Sequence, residues 1–471
     1  MSPMIHQRSL WLLPFALALF IVSRLGYLNL PFYWDEAWSY ASAVLNIHQT
    51  GFLSGNPELT RGHPLLFYFL ANCWAMGFGT GLVSLHSFAL LVSLLFLVTV
   101  FFTAREWFES TTAWTATLFI GLQSSFLAQS TMLLPEVMLA LWSLLTVRAY
   151  FGRKWIQFAV FSVMTVMTKE TGMVLIGMLF LDKLFLEGIF NKERQRPIRQ
   201  LTELALLCIP VAAFAAFLIL QKIRFGWFLY PEHVSLAVLD PHEIMLRMRT
   251  FLSKLLFSQG RGIFFLASLI ALIYRMAKKR PGTLQGHILL FSGIFIIAYV
   301  SFSSVNFFTS RYLLSLFPFY LIPGAWLITS VLPQRWLKIT AVSCLSMLFA
   351  WQTIKSNRDE NDTSLGFKNT VLLQKMAVDY AAESHWQDKN IYSAFLMQYY
   401  LSIPGLGYLG DGAQPFSSIS NSLERAYDIF IFCSNEGDPR YAEITRRTDV
   451  MLLKRFEHPP AWVEIYGIRN R

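Results

Sequence analysis

The chemistry this chain could do rests on a scattered set of ionisable residues at or near the ends of apolar runs. They are Asp35, Glu36, Glu58, Arg61, His63, Glu136, Lys169, Glu170, Arg261 and Arg311. Charges at membrane depth are costly and tend to be functional where they face a protein interior. At helix ends snorkelling cations and interfacial acids are common, so each residue alone has a structural reading. Their gathering on one side of the chain's topology is what favours chemistry. Asp35-Glu36 opens the segment Trp34–Leu45, where Ala37, Ala41, Val44 and Leu45 recur at helical spacing before Gly51. That pattern predicts an amphipathic helix on the membrane surface. Asp35 then either caps the helix or acts as a general base, although the helix dipole favours its charged form and weakens it as a base. Pro135-Glu136 is a common helix start and a second acid. Lys169-Glu170 lies in a turn between two apolar runs, where a strongly hydrated ammonium suits a phosphate. Arg61-Gly62-His63-Pro64 adds two cationic or donor groups. No Asp-x-Asp or zinc-type spacing is visible, and neither a metal nor another cofactor is expected.

The elements that must position these residues are membrane helices. Of 471 residues, 55% are hydrophobic, 16% aromatic and only 14% charged, against about 25% charged in soluble domains. The mean hydropathy is +0.45. So few charges cannot coat a soluble surface of this size, and the apolar content rules out a disordered chain. The formal charge of +10 follows from Lys and Arg collecting in cytoplasmic loops rather than from a nucleic-acid surface, since no basic stripe with interleaved aromatics stands outside those loops. The four cysteines suggest no disulfide framework.

Apolar runs occupy 10–22, 82–103, 111–131, 135–151, 155–168, 171–187, 201–221, 261–276, 285–304, 311–331 and 336–353. They amount to about eleven spans. The first lacks a small-residue cleavage site and reads as a retained helix. The run 64–76 is bounded by Pro64 and Gly77 and is read as interfacial, since runs of about 10–14 residues seldom span. That choice lets Arg148/Arg153/Lys154, Lys192/Arg194/Arg196/Arg199, Arg275/Lys278/Lys279/Arg280 and Arg335/Lys338 share the cytoplasmic side with Arg8. It also places Asp35 and Glu136 on the same exterior face. Residues 1–353 are therefore read as a transmembrane domain, with an exterior loop 31–81 holding two juxtamembrane helices. After Trp351 the chain turns polar, and 354–471 reads as a small exterior α/β domain with a helix at Asn369–Glu383. Its strands fall near Asn390–Phe395, Asp428–Cys433 and Met451–Phe456. Asn361-Asp362-Thr363 is a sequon, expected by chance in this length.

At these residues the sequence resembles polyprenyl-phosphate-sugar-dependent glycosyltransferases of the GT-C fold, in particular the bacterial protein O-mannosyltransferase-like superfamily that includes the lipid A aminoarabinose transferase. Asp35-Glu36 with Tyr40 resembles the acidic pair of that family's first exterior loop. Arg61-Gly62-His63-Pro64-Leu65 falls where the family often has Lys-Pro. Leu134-Pro135-Glu136 falls at its second exterior acid, Met167-Thr168-Lys169 at a Thr-Lys turn, and Arg311-Tyr312 with Pro318 at a later Arg-Tyr motif. The order covers residues 30–320. Two positions depart from the pattern: Trp38 stands where some relatives carry Arg, and His63 stands where they carry Lys, so fixed positive charge is lost at both.

The resemblance implies a GT-C membrane enzyme of the bacterial cytoplasmic (inner) membrane, with its active site and C-terminal domain on the exterior face. It implies an undecaprenyl- or other polyprenyl-phosphate sugar donor and a lipid, glycan or protein acceptor. The implied catalytic residues are Asp35, Glu36 and Glu136. Arg61, His63, Lys169, Arg261 and Arg311 would meet the donor phosphate, with Tyr40, Glu58 and Tyr312 nearby. A transporter or lipid flippase is the main alternative, but it predicts broken helices at mid-membrane and repeat symmetry between halves. The charges lie instead at the outer ends, and no repeat is visible. A non-catalytic scaffold leaves the acid–base set unexplained.

Overall fold

The computed structural model describes residues 11–52, 56–187, 197–278, 282–358, 360–410, 412–422 and 426–469. Arg8, Lys192, Arg194, Arg196, Lys279 and Arg280, read above as topology signals, lie outside the described residues.

Most of residues 11–358 is helical. Helices Leu82–Trp107, Leu201–Phe225, Ser258–Lys278, Thr283–Val305 and Arg335–Arg358 are each long and apolar enough to cross a membrane. The 26 residues of Leu82–Trp107 reach about 39 Å, past a hydrocarbon core of ~30 Å. The remaining expected spans form shorter helices: Leu12–Arg24, Ser110–Gly121, Glu136–Phe151, Trp155–Thr168, Gly172–Leu181 and Phe317–Val331. Leu66–Phe78 is a 13-residue helix that passes through Gly77 and stops at Gly79, φ +83°. Ile223, Ile270, Ile273, Met347 and Ile354 all point outward. An apolar belt of this kind is tolerated by lipid and not by water.

Phe317–Val331 and Glu136–Phe151 run through the centre of this bundle and are buried along almost their whole length. Helix packing here needs small residues at close approaches. Gly324 is one, since an added Cβ would stand 2.4 Å from Phe264 Cζ.

The C-terminal part is a five-stranded mixed sheet. We number its strands β1 (Ile391–Ser393), β2 (Ile419–Ser420), β3 (Ile429–Cys433), β4 (Val450–His458) and β5 (Ala461–Ile468). Their order is β2-β1-β3-β5-β4, with β1 parallel to β2 and β3, and β5 antiparallel to β3 and β4. Helix Phe367–Glu383 packs on the sheet with Val371, Gln374 and Val378 fully buried. Its apolar contacts run unbroken into those of the helical bundle, so the two parts share one core. Two contacts show the join. Phe32 N donates to Leu406 O at 3.0 Å, and a Cβ added to Gly407 would meet Leu82 Cδ1 at 2.7 Å.

Candidate active site

The first exterior loop begins with a forced turn. Trp34 adopts φ +52°, a conformation that bulky residues avoid and that clusters at functional sites. A π-helix follows at Glu36–Ala41 and then an α-helix at Ser42–Thr50. Of its expected apolar face, Ala37, Ala41 and Val44 are buried by the protein itself and Leu45 is partly so. Asp35 does not cap this helix: its side chain makes no cap hydrogen bond.

The turn sends the two neighbouring acids in opposite directions. Glu36 is 1% exposed and faces inward. Its Oε2 accepts from Tyr33 N at 3.1 Å, and its Oε1 accepts from Leu133 N at 2.5 Å and contacts His86 Nε2 at 3.0 Å. Glu36 thereby ties three segments together. Asp35 faces outward and is 20% exposed. Its Oδ1 accepts from Trp38 Nε1 at 2.9 Å, and its Oδ2 accepts from the Arg311 guanidinium.

Arg311 is the centre of the site. It enters on the 3-10 turn Ser310–Ser315, just before helix Phe317–Val331. Besides Asp35 it reaches Glu136 Oε1 at 3.0 Å through Nε and Asp362 Oδ2 at 2.6 Å through Nη1. Glu136 also accepts from Lys169 Nζ at 2.9 Å, and that ammonium stands 3.9 Å from the centroid of the Tyr312 ring. Burial works against the Lys169 charge, yet Glu136, Tyr312 and Glu170 together outweigh it and the ammonium is held above its ordinary range. Burial pushes the Asp362 carboxyl up, against the pull of Arg311. Three carboxylates thus share two cations, and the charge of one carboxylate is left over. Asp35 is the most exposed of the three. Glu136 Oε2 is buried and has no hydrogen-bond partner among the described residues.

Asp362 was not among the residues singled out from sequence. It sits just past the last long helix, as the middle residue of Asn361-Asp362-Thr363. An acid at the exterior end of a span is the same signal that marks Asp35 and Glu136. Beside the cluster lies a cavity of about 480 Å³ lined by Tyr33, Trp34, Thr309, Glu360, Asp362 and Asn435, among others. Both the bundle and the C-terminal part contribute to it.

The cations divide. Arg61 lies with its guanidinium 4.1 Å from the centroid of the Trp38 ring and is paired with Glu232. A positive charge thus lies over the Trp38 ring in a cation–π contact. His63 Nδ1 meets Glu170 Oε2 at 2.9 Å. Tyr40 is buried, with its ring stacked against both His63 and Tyr68. Arg261 is apart from this group. It is 1% exposed and donates to Leu255 O and Gln123 Oε1, both at 2.7 Å. It lines a neighbouring cavity of about 440 Å³ with Lys254, Lys355 and Asn361. Glu58 is exposed on the turn Pro57–Thr60, with no side-chain hydrogen bond or ion pair among the described residues. The structure thus brings Asp35, Glu136, Lys169, Arg311 and Tyr312 together and leaves Arg261 and Glu58 outside.

No protein-family model and no curated protein sequence matches the chain. Solved structures do. ArnT from Cupriavidus metallidurans in the apo state aligns with a TM-score of 0.57 at 13% identity, over 98% of this chain and 98% of that one. The same ArnT bound to undecaprenyl phosphate aligns with a TM-score of 0.56 at 14% identity, over 97% and 98%. This chain has the GT-C fold. A further GT-C structure is the archaeal oligosaccharyltransferase AglB from Archaeoglobus fulgidus, in complex with an inhibitory peptide and a dolichol-phosphate. It aligns with a TM-score of 0.52 at 12% identity, over 86% of this chain and 64% of that one. The GT-C likeness extends through the C-terminal sheet, since the ArnT alignment spans nearly the full length of both chains.

Proposed function

We propose that this chain is an integral-membrane, inverting glycosyltransferase of the inner membrane. It takes a sugar from a polyprenyl-phosphate donor and transfers it to an acceptor on the exterior face. The observation that carries this reading is the Arg311 cluster, in which Asp35, Glu136 and Asp362 converge on one guanidinium. ArnT has been solved with undecaprenyl phosphate and AglB with a dolichol-phosphate, which supports a lipid-linked donor here.

In this mechanism Asp35 removes the proton from an acceptor hydroxyl or amine as it attacks the anomeric carbon. The bond from that carbon to the lipid phosphate oxygen breaks, and polyprenyl phosphate leaves. A phosphate leaves without protonation, so a second carboxylic acid is not needed. One displacement inverts the anomeric centre. Lys169 and Arg311 stay in place because Glu136 bridges them, and they face the charge that grows on the departing phosphate. The cavity beside Trp34, Glu360 and Asn435 has the aromatic and polar walls that suit a sugar.

The experiment is a donor screen. Purified protein in nanodiscs is incubated with radiolabelled polyprenyl-phosphate sugars and extracts containing lipid, glycan and protein acceptors. Sugar-dependent release of free polyprenyl phosphate is expected. Label retained on the lipid for every donor, with transbilayer movement of it, would instead make the chain a flippase.

A further inference from the structure

We propose that His63, Glu170 and His233 form a site for a divalent metal ion, and that the ion is Zn²⁺. One ligand atom from each residue lies within 4.8 Å of the other two. The three come from separate exterior segments: the loop before Pro64, the turn after helix Trp155–Thr168, and the short helix Pro231–Ser235. His63 and Glu170 are already in contact at 2.9 Å, and the His63 and His233 ring centroids are 4.9 Å apart. Around a tetrahedral Zn²⁺ with bonds of about 2.0–2.1 Å, ligand atoms stand roughly 3.3 Å apart. Small side-chain rotations close the difference. Two imidazoles and one carboxylate are a zinc-type donor set and leave one coordination position open.

The surrounding backbone is shaped to bring the two histidines together. Arg61 at φ +53° and Gly62 at φ +67° make a tight corner. A Cβ on Gly62 would stand 2.9 Å from Tyr230 Cβ and 3.0 Å from Trp227 Cζ3. Only glycine lets the His63 segment press so closely on the one that carries His233. Arg61 paired with Glu232 pins the same junction, and the Tyr40 ring lies parallel to that of His63. The flanking cations are already neutralised, Arg61 by Glu232 and Lys169 by Glu136. They therefore oppose the ion only weakly.

The role we assign to the ion rests on the glycosyltransferase reading. The Arg311 cluster carries more carboxylate than cation, so a lipid phosphate approaching it meets a net negative site. Zn²⁺ bound by two neutral imidazoles and one carboxylate retains a single positive charge. It sits beside Lys169, and its open coordination position can take a phosphate oxygen.

The test uses the full chain in nanodiscs, stripped with a chelator, and then titrated with Zn²⁺ or with Co²⁺ as a spectroscopic stand-in. The wild type is expected to bind one equivalent and to give the visible absorption of tetrahedral Co²⁺. His233→Ala and Glu170→Gln are each expected to weaken binding at least about tenfold while keeping the wild-type elution profile. If a variant fails to fold, the wild-type stoichiometry and Co²⁺ spectrum decide. Absence of one-equivalent binding, or binding that both folded variants retain, would overturn the site. Because no donor is present, failure of the glycosyltransferase reading leaves this result standing. Undecaprenyl phosphate binding, measured with and without Zn²⁺, then reads the role separately. Tighter binding with the ion is expected, and equal binding would overturn the role alone.

Discussion

At the scale of single residues, Arg311 holds the site together. It is nearly buried and contacts three carboxylates. Removing one member of a buried ion-pair network leaves uncompensated charge, at a cost of about 3–5 kcal/mol. Arg311→Met should therefore lower thermal stability clearly in detergent and abolish transfer, and a variant that unfolds at the wild-type temperature would contradict the network. Glu36 makes the opposite kind of prediction. It holds Tyr33, Leu133 and His86 together without facing the cavity. Glu36→Gln should cost about 1–3 kcal/mol through lost acceptor capacity for buried donors. Turnover should fall with stability while the affinity for donor stays the same.

At the scale of elements, much of the site was legible because it lies at helix boundaries, which carry local signals. Pro135 before Glu136, the Lys169-Glu170 interruption and Gly51 each stop or start an element where expected. The direction of the acids was not legible. Asp35 and Glu36 are adjacent, and only the left-handed Trp34 and the π-turn after it decide which one reaches Arg311. Sequence periodicity contains no signal for such a turn. Asp362 was passed over because its partner Arg311 is 51 residues away and nothing local marks the pairing. Strand β5 was missed for a similar reason. Its Val463, Ile465 and even Glu464 are buried, with Glu464 satisfied by Tyr441, Arg455 and Tyr466. The alternation that advertises a strand is therefore broken by a buried acid.

At the scale of the whole molecule, the C-terminal part is a wall of the site rather than an appendage. Asn435 Nδ2 donates to the Tyr33 hydroxyl at 3.1 Å, and that hydroxyl in turn donates to Glu360 O at 2.5 Å. Glu436 lies next to this contact, and its Oε2 accepts from Leu396 N at 3.1 Å. Burial pushes its carboxyl up to about 7, outweighing the backbone N–H groups that favour the charged form. The folded protein therefore keeps a proton that the unfolded chain releases near the ordinary Glu value of about 4.3. Stability should fall as pH rises from that value to about 7. Thermal unfolding across this window should show the decline, and Glu436→Gln should flatten it. A variant with the wild-type slope would contradict the assignment.

The most direct test of the central claim compares wild type with Asp35→Asn in the donor assay. Release of polyprenyl phosphate and equilibrium binding of the lipid donor are measured on the same preparations. Asp35→Asn is expected to bind donor with near-wild-type affinity and to release none of the lipid phosphate, because only the proton acceptor has been removed. Release at the wild-type rate by Asp35→Asn would show that another group takes the acceptor's proton, and would contradict the mechanism.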